Sequence, residues 1–225
     1  MAREDARVGG GGLGAVTIAT RRADVRLVTG AEVYDEVVLG ALPAARVSVW
    51  IATANLKELR VPAQVGTRAR ARGQYVSVLD TLADLTDRGV DVRILHARAP
   101  SRPFAAALGR RGRLKKALAL RECPRVHLKT LTIDGRLLYL GSANFTGAGL
   151  GARADSRRNF ELGILTEDEH LLDATQAHFD AIWAGSQCAG CKLRALCPKP
   201  IDTLAPPRAP KVRLDAAGPR ARRSA

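Results

Sequence analysis

His127 and Lys129 stand two residues apart in the run V-H-L-K-T-L-T-I-D-G-R-L-L-Y-L-G-S-A-N-F. Side chains alternate between the faces of an extended strand, so positions i and i+2 point the same way. An imidazole able to act as nucleophile or base is therefore expected beside a fixed positive charge. Asp134-Gly135 separates two apolar, β-rich runs and predicts a hairpin turn. The returning strand, 136–140, delivers Gly141-Ser142-Ala143-Asn144, in which Ser142 and Asn144 are again two apart. One hairpin thus offers an imidazole, an ammonium, a hydroxyl and a carboxamide, a set suited to an anionic phosphate ester.

This run resembles the signature of the phospholipase D superfamily, H-x-K-x4-D followed by G-S-x-N. His127, Lys129, Asp134, Gly141, Ser142 and Asn144 stand at the matching places. Downstream, R-N-F-E-L-G-I resembles the family's later segment, in which an acidic residue, here Glu161, orients the histidine. The resemblance covers residues 24–186. It implies an α/β, phospholipase D-like fold: a mixed β-sheet flanked by helices, with a catalytic hairpin. It also implies metal-independent phosphodiester hydrolysis, with no cofactor for catalysis. An imidazole attacks phosphorus and forms a phosphohistidine, which divides one difficult displacement into two easier ones. A second histidine protonates the leaving oxygen and then activates water. Lys129, Ser142 and Asn144 would hold the non-bridging oxygens, and Glu161 would fix the tautomer of His127. Asp134, in the turn, is expected to support loop geometry. The remaining histidines are His96, His170 and His178, and none begins H-x-K. A family member with one motif takes its second histidine from another chain, so a homodimer with His127 of each subunit at a two-fold axis is expected.

Charge points toward the partner. The formal net charge is +14. Residues 101–130 hold nine basic side chains, Lys129 among them, against Glu122 alone. A second basic excess follows Pro198. A basic apron beside a phosphodiesterase site fits a nucleic-acid backbone, read with little sequence preference because aromatic residues are scarce there. The same chemistry on a phospholipid headgroup, and a nucleic-acid-binding member of the fold without catalysis, are the alternatives.

Four cysteines form a second constellation. Cys188, Cys191 and Cys197 follow the last expected helix, and Cys123 lies four residues before His127. In a cytosolic chain such clusters more often hold metal than form disulfides. The C-x2-C pair suits zinc or an iron–sulfur cluster. The wide third interval resembles the cluster-binding cysteines of some DNA-processing nucleases of another fold. A structural site is expected, because four thiolates leave no open position.

The elements that must position these groups alternate between helix and strand. Thr29 and Glu32 form a capping-box pattern ahead of an apolar helical stripe from Val33 to Leu42. A buried strand is expected over 47–53, and a helix carrying Leu79, Leu82 and Leu85 that Gly89 ends. A strand over 90–95 follows, and another over 160–165 comes after the hairpin. Thr166 and Glu169 open a last helix with Leu171, Leu172, Phe179, Ile182 and Trp183 on its apolar side. His178 at the edge of that stripe reads as packed or half-exposed, and His170 as solvated. Segments 1–23 and 201–225 read as a flexible leader and a basic disordered tail, flanking a domain over 24–186 and a cysteine-rich segment over 187–200. The longest apolar run is far short of a membrane span, and the N-terminus lacks a signal-peptide core, so a cytoplasmic location is expected.

Overall fold

A computed structural model describes residues 22–197 and 199–204. Seven strands form one mixed sheet: β1 (Arg26–Thr29), β2 (Ser48–Thr53), β5 (Asp91–His96), β6 (Ala119–Glu122), β7 (Thr130–Ile133), β8 (Leu137–Gly141) and β9 (Leu162–Thr166). Their order is β1-β9-β8-β7-β2-β5-β6. The β2, β5 and β6 strands run parallel, and every other neighbour pair is antiparallel. β3 (Arg60–Pro62) and β4 (Tyr75–Ser77) make a separate ribbon.

Helices cover both faces, as an α/β layer structure requires. On one side lie α1 (Val33–Ala41, continued by the turn Leu42–Ala44), α3 (Val78–Asp87), α4 (Arg102–Gly109) and α5 (Gly112–Ala117). They bury Val37, Leu82, Phe104 and Leu114 against Val49, Ile51, Leu131 and Tyr139. The opposite face receives α6 (Glu169–Trp183), whose Phe179 and Trp183 pack on Ala52, Leu95 and Val126. Trp50, Phe179 and Trp183 stack in sequence, with Arg93 over Trp50 and Arg121 over Trp183. The short helix α2 (Arg68–Ala71), capped by Thr67, carries Arg68 and Arg70, with Arg72 at its C-cap.

Several boundaries differ from expectation for local reasons. Strand β7 begins at Thr130, so His127 and Lys129 sit in the extended lead-in rather than inside the ladder. The Lys129 carbonyl still accepts from Gly141 N–H at 3.1 Å, which extends the pairing by one bond. The first helix is wound with an i→i+5 bond, Leu42 N–H to Val37 carbonyl, although Glu32 accepts from Thr29 N–H as the capping box requires. The last helix is capped by Asp168, which accepts from Leu171 N–H at 2.9 Å, and Thr166 instead accepts from Asp168 N–H. Ile201 is buried with Trp183 and Phe179, and Asp202 pairs with Arg194, so the packed body reaches past the expected start of the tail. The expected flexible leader, apart from residues 22 and 23, and the tail beyond residue 204 lie outside the described residues.

Candidate active site

Antiparallel and parallel neighbours together bring seven segments to one edge of the sheet. The C-terminal ends of β2, β5, β6, β8 and β1 meet the starts of β7 and β9 there. Loops at that edge carry His127, Lys129, Ser142, Asn144 and Glu161.

His127 is exposed, and Lys129 bends back onto it. Lys129 Nζ lies 2.9 Å from Nδ1 of the ring and donates to the His127 carbonyl at 2.8 Å. Nζ also lies 3.2 Å from Nε2, so the ammonium sits against both ring nitrogens. Burial pulls the Lys129 pKa below its ordinary value, against the opposing pull of the Glu161 carboxylate.

Asn144 is tied to the end of β2. Its Oδ1 accepts from Asn55 N–H at 3.0 Å and from Thr53 Oγ1 at 3.3 Å. Thr53 Oγ1 in turn accepts from Phe145 N–H at 2.9 Å. The carboxamide is thereby oriented with its NH2 as the remaining donor.

Ser142 and Glu161 form a unit across the β8–β9 junction. Ser142 Oγ donates to Glu161 Oε2 at 2.5 Å and accepts from Leu162 N–H at 3.0 Å. Asn159 Nδ2 donates to the other Glu161 oxygen at 3.0 Å. The carboxylate expected to orient His127 is thus engaged by Ser142 and Asn159, while the histidine ring meets Lys129. Ser142 was expected among the phosphate donors, yet its proton is directed at Glu161. Lys129 Nζ and Asn144 NH2 are the donors this arrangement leaves. An open cleft of about 560 Å³ adjoins the unit, lined by Ser142, Asn159, Glu161 and Arg158.

Asp134 lies at the opposite edge. Five strand steps of about 3.3 Å separate it from Lys129, roughly 16 Å along the strand. It takes φ 55° in the turn beside Gly135 at φ 63°, the pairing of an Asp-Gly hairpin. Its carboxylate accepts from the N–H groups of Arg46, Val47 and Ser48 at 2.7–3.0 Å, holding the entry to β2. Asp134 stands at the family's catalytic position, but its place here is in the turn, where it fixes the far end of the strand pair away from His127 and Lys129.

Tyr139 and Gly163 escaped sequence reasoning, as did the reason Gly141 must be a glycine. Gly141 pairs with Gly163, and a Cβ on Gly141 would meet Tyr139 Oη at 2.4 Å and the Leu162 carbonyl at 2.7 Å. The buried tyrosine fills the space beneath the site, and burial raises its pKa. Only the alternating pattern of β8, with no visible partner, hinted at it.

The basic segment is partly engaged in the fold. Arg111 is bound to Asp80, and Arg121 is buried against Trp183. Exposed cations stand on the segments that follow β2, β5, β6 and β8: Lys57, Arg98, Arg102, Arg125, Arg153 and Arg157, of which Arg102 and Arg125 belong to the basic segment. His96 is buried at the end of β5, with Nδ1 2.9 Å from the Arg98 carbonyl, and burial lowers its pKa. His170 and His178 are exposed on α6.

The four cysteines come together behind this edge. Cys123, Cys188, Cys191 and Cys197 line one cavity of about 20 Å³. Cys123, Cys188 and Cys191 also line an adjoining cavity of about 150 Å³, beside His178. All four are free thiols. The Leu193 N–H holds the Cys191 thiol below its ordinary pKa against the opposing effect of desolvation, and Arg125 and Arg194 add smaller pulls in the same direction. Among the described residues, no three Cys, His, Asp or Glu side chains stand at the spacing of a closed metal site.

Residues 38–183 match a family model described as cardiolipin synthase, PLD-like domain. A comparison with curated proteins found no match. Among solved structures, the chain is similar to Nuc from Salmonella typhimurium, a phospholipase D family member. The identity is 20%, over 72% of this chain and 95% of that one, with a TM-score of 0.49. It is also similar to NucT from Helicobacter pylori, at 17% identity over 71% of this chain and 94% of that one, with a TM-score of 0.48. TrmBL2, an archaeal chromatin protein, aligns at 17% identity over 74% of this chain and 54% of that one, with a TM-score of 0.43.

Proposed function

Since the chain belongs to the phospholipase D-like family, we propose that it is a metal-independent phosphodiesterase that cleaves nucleic acid through a phosphohistidine. The observation that carries this reading is the His127–Lys129 pair: an exposed imidazole whose Nδ1 lies 2.9 Å from the Lys129 Nζ. A phosphate drawn to Lys129 takes over that ammonium and frees the ring lone pair beside the phosphorus. His127 then forms the N–P bond as the ester P–O bond breaks, and Lys129 and Asn144 NH2 hold the non-bridging oxygens. A second histidine gives its proton to the departing oxygen. It next removes a proton from water, whose oxygen attacks phosphorus and breaks the N–P bond, restoring both rings.

The second histidine is assigned to another copy of the chain. Among the described residues, His96 is buried and His170 and His178 sit on α6, so His127 is the exposed imidazole of this edge. An apolar sheet face beside it supports the assembly. Leu27, Ile164 and Leu140 are register partners on adjacent strands, and Leu162 lies two residues from Ile164. Leu27, Leu140 and Leu162 are 59%, 38% and 53% exposed, and Phe160 next to Glu161 is fully exposed. Six exposed cations at the edge favour a polyanionic backbone as substrate. No helix among the described residues is long and apolar enough to cross a membrane.

Hydrolysis of bis(p-nitrophenyl) phosphate in EDTA by the wild type and by H127A tests the chemistry, with trapping of a phosphorylated His127 as the direct readout. Full activity in H127A would exclude the mechanism. Single-stranded DNA, duplex DNA, RNA and phosphatidylcholine, assayed in parallel, test the substrate class. Turnover of the phospholipid alone would overturn the nucleic-acid assignment. After subunit exchange, an equal mixture of wild type and H127A retains about one quarter of the activity if the site is shared, and about half if it is not.

A further inference from the structure

We propose that Cys123, Cys188, Cys191 and Cys197 bind a structural metal centre, zinc or an iron–sulfur cluster, that clamps the C-terminal segment to the loop carrying His127. The family match ends at residue 183, before three of these cysteines, so the site is an addition to the family domain.

Its parts are brought together from distant positions. Cys123 follows β6 and donates its N–H to the His96 carbonyl at 2.9 Å. Cys188 and Cys191 are joined by a turn in which Cys191 N–H donates to the Cys188 carbonyl at 3.2 Å, and Cys197 closes the next turn. All four cysteines line one cavity of about 20 Å³, and three of them line the larger space beside it. Leu193 N–H and the Arg125 guanidinium hydrogen-bond the Cys191 sulfur, and Arg194 lies beside Cys188 and Cys197. N–H donors on ligand sulfurs are the outer-shell contacts that orient metal thiolates. Closure to metal–sulfur distances of about 2.3 Å requires rotation of cysteine side chains in otherwise fixed turns.

The consequence for the active site is mechanical. Val126 N–H donates to the Cys123 carbonyl at 2.9 Å, so the cysteine starts the turn that ends one residue before His127. Val126 is buried with Ile201 and Trp183, joining the two sides of the clamp. A centre holding Cys123 would fix this turn and hence the height of the imidazole above the sheet edge.

The test is elemental analysis, acid-labile sulfide assay and visible absorbance of the full chain, purified without oxygen and offered zinc, or iron with sulfide. One zinc per chain without colour assigns the ion, and iron and sulfide in matching amounts with visible absorbance assign the cluster. Either supports the centre, and absence of both at stoichiometric level overturns it. C123S and C188S are expected to lose metal to a chelator at least tenfold faster than the wild type. Hydrogen exchange over 124–127 should rise in C123S. Should either variant fail to fold, cobalt added to the metal-free wild type provides the second readout, with thiolate-to-cobalt absorption expected and its absence overturning the site. Wild-type metal retention in C123S would remove Cys123 from the ligand set and overturn the clamp. H127A keeps the metal whether or not His127 is the nucleophile, so failure of the centre and failure of the phosphodiesterase reading are separate results.

Discussion

At the scale of single residues, the donors that meet the phosphate follow from which protons are already committed. Asn144 spends its carbonyl on Asn55 and Thr53, which leaves its NH2, whereas Ser142 donates to Glu161. N144D keeps the acceptor for Asn55 but removes the donor and adds a repelling charge. It should lower kcat/KM by about 10²–10³, the usual cost of a lost oxyanion donor, with a denaturant midpoint close to that of the wild type. S142A should lose less, and equal losses would return Ser142 to the phosphate. Lys129 supplies the charge that draws substrate, and burial depresses its pKa. The protonated form is the competent one, so kcat/KM should fall on the alkaline side at a lower pH than an ordinary lysine would give. In K129R the guanidinium stays charged, and that limb should move to higher pH even as the rate drops. A limb that stays in place in K129R belongs to another group.

Elements decide whether those residues can meet, and here the tightest constraint is the β8–β9 junction. A Cβ at Gly141 would meet Tyr139 Oη, the Leu162 carbonyl and Gly163 Cα, all within 2.8 Å. G141A should therefore destabilise the fold by about 1–3 kcal/mol, read as a lower denaturant midpoint with an unchanged slope. Y139F should not rescue it, because the two backbone contacts remain; full rescue would place the strain on the tyrosine alone. The hairpin itself was legible in the amino-acid order, since Asp134-Gly135 states its turn type and the i, i+2 spacing sets His127 beside Lys129. What stayed hidden was long-range. Nothing local tells that Asp134 reaches back to the N–H groups of Arg46, Val47 and Ser48, or that Glu161 faces Ser142 rather than His127. Charge counted along the chain also does not separate Arg121, buried over Trp183, from Arg102 in solvent. The cations that do line the edge come from four loops whose adjacency only the strand order creates.

For the whole molecule, the proposed mechanism leaves the exposed His127 in need of a second imidazole, and the apolar face beside it is the surface on which the proposed second copy would dock. α6 covers the sheet face at Trp50 and Ala52, but Leu27, Leu140 and Leu162 continue that face in solvent toward the β1 edge. Exposed apolar side chains contiguous with a catalytic edge mark an association surface, and a two-fold contact there sets two copies of the edge against each other. Charge adds a second constraint, since the proposed dimer would carry two sets of these six exposed cations toward one substrate path. Binding of a nucleic-acid backbone should then weaken steeply with salt, and each neutralised rim arginine should reduce the log–log slope by about one. The decisive variant is F160D/L162D, which places two carboxylates on the apolar face while leaving His127, Lys129 and Asn144 untouched. It should sediment as a folded monomer and lose phosphodiesterase activity together with self-association. Added H127A chains should not restore it, because their apolar face has lost its match. A monomer that keeps wild-type turnover would mean that one chain completes the reaction alone, and the proton donor would then have to be sought within it.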